Sequence, residues 1–204
     1  MNPPIPAPTP DTTTLVLLCG GQSRRMHGQD KGLLLLRGQA LYQQTLQRLA
    51  PQMGQVIISA NRDLHEYDKS GFKVVRDVLP DHPGPLAGIL SALQQLETEW
   101  LLTAPCDMPH LPHDLLRRFQ QAAQQAPEAT AFVAFDGQRQ QHLVSLLHRR
   151  VEADLRRFLA SPQRAVHRWL QQLAATQVDC HDVAEAFMNI NTPADLADLE
   201  RRKS

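Results

Sequence analysis

The sequence has no excess of charge of either sign. Its 21 lysines and arginines balance 21 aspartates and glutamates, so the formal net charge is zero and the isoelectric point is about 7.1. A protein that binds nucleic acid generally carries a basic face, because contacts to phosphates dominate that interaction. The composition therefore argues against nucleic-acid binding.

Cysteines and long apolar runs are also scarce. The three cysteines, Cys19, Cys106 and Cys180, are an odd number at wide spacing, which does not suit a disulfide framework and indicates a reducing compartment. No apolar run approaches the roughly 20 residues that a membrane-spanning helix needs. We expect a cytoplasmic protein without a membrane segment.

The first twelve residues lack the features of a signal peptide. They begin MNPPIPAPTP, with five prolines, no cation and no apolar core. Such a segment has little apolar surface to bury, so nothing offsets its ordering entropy. We predict a disordered, proline-rich tail over residues 1–12 and a single α/β domain over residues 13–204.

Strand and helix patterns alternate throughout residues 13–204. This alternation predicts an α/β fold with a doubly wound, mostly parallel sheet. The last helix is predicted to begin with Thr192 as its N-cap and Pro193 at its first position. The predicted strands are 15–19, 56–60, 72–76, 100–104, 130–135, 143–147 and 177–179, and the predicted helices are 41–53, 63–69, 86–96, 113–125, 149–160, 164–173 and 193–201.

The stretch from Leu15 to Gly32 carries the strongest functional signal. Its apolar start, residues 15–19, is typical of a strand that is buried on both faces of a parallel sheet. Gly20-Gly21 then allow a sharp turn and a close approach to a ligand, and Arg25 and Lys31 follow in a polar loop. Backbone N–H groups and cations in this arrangement suit a polyphosphate.

Two better-known phosphate loops do not fit these residues. A Walker loop requires Gly-Lys followed by Ser or Thr, whereas Lys31 lies between Asp30 and Gly32. The dinucleotide fingerprint requires Gly-x-Gly-x-x-Gly, which Gly20-Gly21 and Gly28 do not supply. The loop is therefore of a third kind, with an ordinary surface turn as the alternative.

These residues resemble the signature loop of nucleotidyltransferases that act on sugar phosphates, isoprenoid precursors and molybdopterin. The ending Asp30-Lys31-Gly32 is most similar to the molybdenum cofactor guanylyltransferase family, and the similarity extends from about Leu15 to about Leu199. It implies a Rossmann-like nucleotidyltransferase fold. Cys19 and His27 depart from the usual Ala and Gly without removing a charge. The matching pattern is Leu18-x-Gly20-Gly21-x-Ser23-x-Arg25-Met26-x-Gly28-x-Asp30-Lys31.

Four segments lie at the ends of predicted strands. Ligands of open α/β sheets bind outside the carboxyl ends of the strands, so the Gly20-Gly21 loop, residues 59–61, Asp77 and Asp107 should form one site. Asp107 follows a buried strand and offers Mg²⁺ a carboxylate, although a turn aspartate is the alternative. Pro105-Cys106-Asp107 also resembles the family's metal segment, and the family residue that matches Asp77 contacts the nucleotide.

Three further interpretations concern the flanks of this site. Ser59 stands where the family often has Asn, and a hydroxyl has a shorter reach toward a base or ribose. Asn189 and Asn191 resemble the family's Asn-x-Asn-Thr-Pro segment beside the acceptor pocket, with loop capping as the alternative. A zinc cluster is a weaker alternative, because two prolines interrupt its spacing. That cluster would comprise Cys106, Asp107, His110 and His113.

The resemblance implies transfer of GMP from GTP to molybdopterin with release of pyrophosphate. Asp107 would hold Mg²⁺, and Lys31 and Arg25 would stabilise charge on the phosphates. Gly20 and Gly21 would supply backbone donors. Contacts to the nucleotide are expected from Leu18, Cys19, Gly20, Gly21, Lys31, Ser59, Asp77 and Asp107, and contacts to the acceptor from Asn189 and Asn191.

Two other functions are consistent with the sequence. One is a related transferase that uses CTP or a sugar phosphate, and the other is a non-catalytic nucleotide-binding or cofactor-carrier protein. Arg25, Lys31 and Asp107 together favour an enzyme. The family resemblance also implies molybdenum-insertion proteins and molybdoenzymes as partners, and we expect a monomer.

Overall fold

The computed structural model describes residues 4–20, 30–79 and 84–201. Within these ranges a seven-stranded sheet has the order β5-β4-β1-β6-β8-β7-β9, and β2 and β3 form a separate two-stranded ribbon. The strands are β1 Thr13–Leu18, β2 Leu35–Leu36, β3 Gln39–Ala40, β4 Gln55–Ser59, β5 Lys73–Val75, β6 Trp100–Pro105, β7 Ala131–Phe135, β8 Gln140–His148 and β9 Thr176–Asp179. The helices are α1 Leu41–Leu49, α2 Leu64–Asp68, α3 Pro85–Gln94, α4 Leu115–Gln125, α5 Glu152–Ala160, α6 Val166–Gln172 and α7 Pro193–Arg201.

The sheet is parallel except at β8, which runs antiparallel to both β6 and β7. The predicted doubly wound, mostly parallel fold is confirmed. Successive side chains of β1 alternate between two apolar cores: Leu15 and Leu17 face one, and Val16 and Leu18 face the other. Helices α1 and α4 cover the first face, while α3, α5 and α6 cover the second. No helix in the described ranges combines the length and apolarity needed to cross a bilayer.

Four neighbouring strands carry their carboxyl ends to one edge of the sheet. β1 pairs in parallel with β4 and β6, and β4 pairs in parallel with β5. The register sets Leu18 beside both Ser59 and Pro105, and Ser59 beside Val75. The loops that follow these strands therefore begin side by side, as the strand-end rule predicts.

Local signals explain most boundaries of the elements. α1 ends at Leu49 and continues as a 3₁₀ turn, because Pro51 cannot supply the N–H that an α-helix needs there. Arg37 and Gly38 both have positive φ, which suits the tight turn between β2 and β3. Thr192 caps α7 as predicted, since its hydroxyl accepts a hydrogen bond of 3.1 Å from the N–H of Asp195.

The prediction of a disordered tail over residues 1–12 does not hold for residues 4–12. The side chain of Ile5 is buried and its N–H donates to the carbonyl of Pro127 at 2.8 Å. The indole Nε1 of Trp100 donates to the carbonyl of Pro6 at 3.0 Å. Composition alone gave the wrong answer because a single apolar side chain, Ile5, is enough to pack on the domain. The backbone around it also forms hydrogen bonds with buried groups such as the Trp100 indole.

We therefore expect truncation to destabilise the domain. A chain that starts at Thr13 loses the burial of Ile5, a side chain worth about 2 kcal/mol, which corresponds to roughly 4–8 °C in melting temperature. Thermal unfolding of this chain should be compared with that of the full chain and of Ile5→Ala. Ile5→Ala should account for a large part of the decrease in melting temperature that the truncation causes. Equal melting temperatures for all three would contradict the packing of this segment.

Candidate functional site

Lys31 and Asp107 form an ion pair at the carboxyl edge of the sheet. The distance from Lys31 Nζ to Asp107 Oδ2 is 3.4 Å, and the two side chains are 24% and 13% exposed. Lys31 Nζ also donates to Asn191 Oδ1 at 2.7 Å, and Asn189 Nδ2 donates to Asp107 Oδ1 at 3.1 Å. One hydrogen-bond network therefore joins a predicted charge-stabilising residue, Lys31, to the predicted metal ligand Asp107 and to the two predicted acceptor-binding asparagines.

Backbone contacts hold the segments of this network together. The N–H of Cys106 donates to the carbonyl of Leu18 at 3.2 Å, which extends the pairing of β1 and β6 by one residue. The N–H of Ile190 donates to the carbonyl of Asp107 at 3.0 Å. Because the Ile190 side chain is fully buried in a cluster with Leu36, the asparagines on either side of it are fixed in place, Asn189 against Asp107 and Asn191 against Lys31.

Asp30 organises the start of the lysine segment. Its Oδ1 accepts from the N–H of Gly32 at 2.9 Å and from the hydroxyl of Tyr67 at 2.7 Å. Burial raises the pKa of Asp30 above its usual range, while the hydrogen bonds from Tyr67 and Gly32 act in the opposite direction. The carboxylate thus caps the 3₁₀ turn that begins with Lys31.

Asn61 and Asp77 form a second polar pair at the same edge. Asn61 Nδ2 donates to Asp77 Oδ2 at 2.8 Å, and the N–H of Asp77 donates to Asn61 Oδ1 at 3.0 Å. A Cβ added at Gly20 would lie 3.4 Å from Asn61 Nδ2, so this pair adjoins the start of the glycine loop. The side chain of Asn61 fixes the direction of Asp77, a role that the sequence did not reveal.

The structure buries Ser59 under α3. The residue is 2% exposed, and its Oγ lies 2.3 Å from where a Cβ on Gly88 would stand. Asp77 Oδ1 lies 3.4 Å from the same position. Gly88 is therefore required for close packing of α3 against the ends of β4 and β5. Contact between Ser59 and a nucleotide stays a prediction.

The remaining predicted residues fall into two groups. The side chains of Leu18 and Cys19 are buried in opposite cores, so only their backbone groups are suited to face a ligand. The N–H of Cys19 already donates to the carbonyl of Ser59 at 2.8 Å. Gly21 and Arg25 lie outside the described residues.

The donor set at Asp107 fits magnesium better than zinc. Within residues 4–20, 30–79 and 84–201 no three His, Cys, Asp or Glu side chains are grouped to hold a metal. The pKa of the Cys106 thiol is raised well above its usual value, first by its hydrogen bond with Cys19 and then by burial. Mg²⁺ needs only one or two carboxylates, because substrate phosphates and water complete its oxygen shell. Asp107 offers such a carboxylate.

We expect Gly88→Ala to damage this edge of the sheet. Alanine improves helix propensity by up to about 1 kcal/mol, but overpacking costs about 1–3 kcal/mol. The net effect on the free energy of unfolding should therefore be destabilising. The melting temperature should fall, and nucleotide binding should weaken because α3 must move away from the strand ends that carry Ser59 and Asp77.

The double variant Ser59→Ala/Gly88→Ala is the matched control, since it removes the hydroxyl that the new methyl group meets. In the Ser59→Ala background, adding Gly88→Ala should therefore lower the melting temperature much less than it does in the wild type. If Gly88→Ala is as stable as the wild type and binds nucleotide equally well, the proposed close packing is wrong.

Comparison with known proteins gives consistent results across the chain. The model of the MobA-like NTP transferase domain family matches residues 15–178. A molybdenum cofactor guanylyltransferase from Vibrio cholerae is 42% identical over 193 residues, which cover 95% of this chain and 94% of that protein. A protein of the same name from Ralstonia pickettii is 41% identical over 204 residues, with 96% and 99% covered.

Solved structures show the same fold. Molybdopterin-guanine dinucleotide biosynthesis protein A from Archaeoglobus fulgidus superposes with a TM-score of 0.74 at 23% identity, over 92% of this chain and 96% of the other. A 4-diphosphocytidyl-2C-methyl-D-erythritol synthase from Anaerococcus prevotii gives 0.69 at 12% identity, over 93% and 95%. At these identities the likeness extends to the fold alone.

Proposed function

The chain belongs to the family of molybdenum cofactor guanylyltransferases, and on that premise we propose that it transfers GMP from GTP to molybdopterin, releasing pyrophosphate. The observation that carries this proposal to individual residues is the network joining Lys31, Asp107, Asn189 and Asn191. It places a cation, a carboxylate and two amides at the strand ends where a nucleotide binds in such sheets.

The proposed reaction does not need a strong general base. The terminal phosphate of the acceptor would attack the α-phosphorus of GTP, and this phosphate is already anionic near neutral pH. Catalysis then consists mainly of positioning the two substrates and neutralising charge on the phosphates.

Lys31 is suited to neutralise that charge. An ammonium group has three donors, and Asp107 and Asn191 together engage two of them. Among the described residues no other side chain accepts from Nζ, so the third donor can serve a phosphate oxygen while the first two fix the position of the nitrogen. We propose that Arg25 supplies a second cation to the phosphates.

Asp107 is the proposed ligand of Mg²⁺. Its Oδ1 accepts a hydrogen bond from Asn189, which fixes the orientation of the carboxylate and leaves further lone pairs on both oxygens. When bound there, Mg²⁺ would supply Lewis-acid polarisation of the phosphates. Asn189 and Asn191 would also contact the molybdopterin acceptor.

Selection of guanine is proposed to come from the other side of the site. Guanine presents an acceptor at O6 and donors at N1 and N2. The carbonyls of Leu18 and Cys19 can accept from N1 and N2, because a carbonyl oxygen has two lone pairs, and the Asp77 carboxylate is held in place by Asn61.

We expect GTP to bind at least tenfold more tightly than CTP or ATP, a difference of about 1.4 kcal/mol. Calorimetric titration of the three nucleotides under one set of conditions measures this directly. Equal affinities would remove guanine specificity and reopen the possibility of a related transferase with another nucleotide.

The cellular setting is part of the same proposal. We propose a cytoplasmic monomer that works with molybdenum-insertion proteins and molybdoenzymes. The three cysteines, Cys19, Cys106 and Cys180, are free and buried, which supports a reducing compartment.

Substitutions at Asp107 and Lys31 should have different effects. Asp107→Asn keeps the shape of the side chain but removes its charge, so turnover should fall by about two orders of magnitude or more with a normal fold. Lys31→Ala should also weaken GTP binding, because the lysine is expected to contact the phosphates of the bound nucleotide before the reaction begins. Magnesium titration of turnover and GTP binding with and without the metal distinguish the two effects.

Wild-type turnover by Asp107→Asn at the same magnesium concentration would make Asp107 a structural turn residue. The metal would then be bound elsewhere, with Asp77 as the first residue to test.

A further inference from the structure

Tyr67 reaches the lysine segment from a helix that carries no predicted site residue. It lies in α2 and is fully buried, and its hydroxyl donates to Asp30 Oδ1 across 37 positions of sequence at 2.7 Å. Burial raises the pKa of Tyr67 far above its usual value, so the hydroxyl remains protonated and acts as a donor to the carboxylate. Asp30 is itself only 7% exposed, so little water competes for this hydrogen bond.

Gly32 is packed tightly beneath the same hydroxyl. A Cβ at this position would lie 2.5 Å from the Tyr67 oxygen and 3.3 Å from Cys106 Sγ. The short turn is therefore enclosed between α2 and the end of β6, with no space for a side chain at its second residue. Its N–H donates to the same Asp30 oxygen that Tyr67 contacts.

These contacts secure the backbone on both sides of Lys31. Asp30 precedes it and is held by Tyr67, and Gly32 follows it and is held by Asp30 and by close packing. Lys31 has a long and flexible side chain, so its ammonium group keeps one place only if its backbone is fixed. From this backbone position Nζ reaches Asp107 and Asn191.

We propose that Tyr67 is a positioning residue that, through Asp30, holds the Lys31 ammonium group where the nucleotide phosphates bind. This inference rests on the proposed function for the identity of the ligand, but the placement of Lys31 can be measured without any substrate. Tyr67 itself touches neither Lys31 nor the phosphates in this account.

Tyr67→Phe removes the hydroxyl and keeps the buried ring. Tyr42→Phe is the matched control, because Tyr42 is also buried, packs edge-on against Tyr67 at 4.9 Å, and donates its hydroxyl to the Glu66 carbonyl rather than to Asp30. Each substitution deletes one phenol hydroxyl from the same cluster, and Tyr42→Phe also deletes a hydrogen bond of 3.5 Å that this hydroxyl accepts from Gln43 Nε2. A purely structural role would lower the stability of both variants without a specific effect on Lys31.

Two measurements follow Lys31 in these variants. The first is the rate of Lys31 acetylation by acetic anhydride, measured by peptide mass spectrometry, with the exposed Lys73 at the start of β5 as the internal reference. The second is the affinity for GTP, with the KM for the acceptor measured alongside. In Tyr67→Phe, acetic anhydride should acetylate Lys31 about five- to tenfold faster than in the wild type. The affinity for GTP should fall by a similar factor, which is the scale of one hydrogen bond. Tyr42→Phe should match the wild type in both.

A double variant tests whether Tyr67 acts through Asp30. Asp30→Ala combined with Tyr67→Phe should weaken GTP binding no more than Asp30→Ala alone, because both changes remove the same hydrogen bond. Additive effects, or wild-type acetylation and GTP affinity in Tyr67→Phe, would overturn the proposal. If the wild type makes no dinucleotide but Tyr67→Phe still exposes Lys31 to acetylation, the proposed function fails and the positioning role stands.

Discussion

The ion pair between Lys31 and Asp107 depends on contacts from several directions. One asparagine contacts each member of the pair, and the Asp30 carboxylate fixes the turn on which Lys31 lies. Partial burial makes the attraction between the two charges stronger than it would be in bulk water. In the proposed reaction a triphosphate on Lys31 would add negative charge next to Asp107, and Mg²⁺ would offset that repulsion. The proposed lysine and magnesium roles are therefore linked by electrostatics.

Much of this arrangement was predictable from the sequence, because its signals are local. The apolar run 15–19 is continuous since β1 is buried between two parallel neighbours, and the cap at Thr192 needs only a residue three positions later. Parallel strands also bring Gly20, Asp77 and Asp107 to one edge by a general rule. The rule and the family resemblance also assign Lys31 and Asp107 to one site, but the ion pair between them is seen only in the structure.

Other features depend on packing between segments far apart in sequence, and no local pattern reveals them. Tyr67 looks like an ordinary apolar-face residue of a short helix until the fold brings it to Asp30. Asn61 follows a predicted strand, and nothing in the sequence shows that its amide is bonded to Asp77. Gly88 is different, because a glycine inside a predicted helix is itself a signal of close contact that sequence reasoning could have used. The proline-rich start was misleading because its order depends on Trp100 and Pro127.

The central claim is that this site joins GMP to molybdopterin. The most direct measurement is to incubate the wild-type chain with GTP, molybdopterin and Mg²⁺, and to quantify both the pterin product and the released pyrophosphate. The account predicts the guanine dinucleotide and pyrophosphate in a one-to-one ratio, with neither formed when the acceptor is omitted. GTP binding without either product would contradict it and would indicate a nucleotide-binding or cofactor-carrier protein.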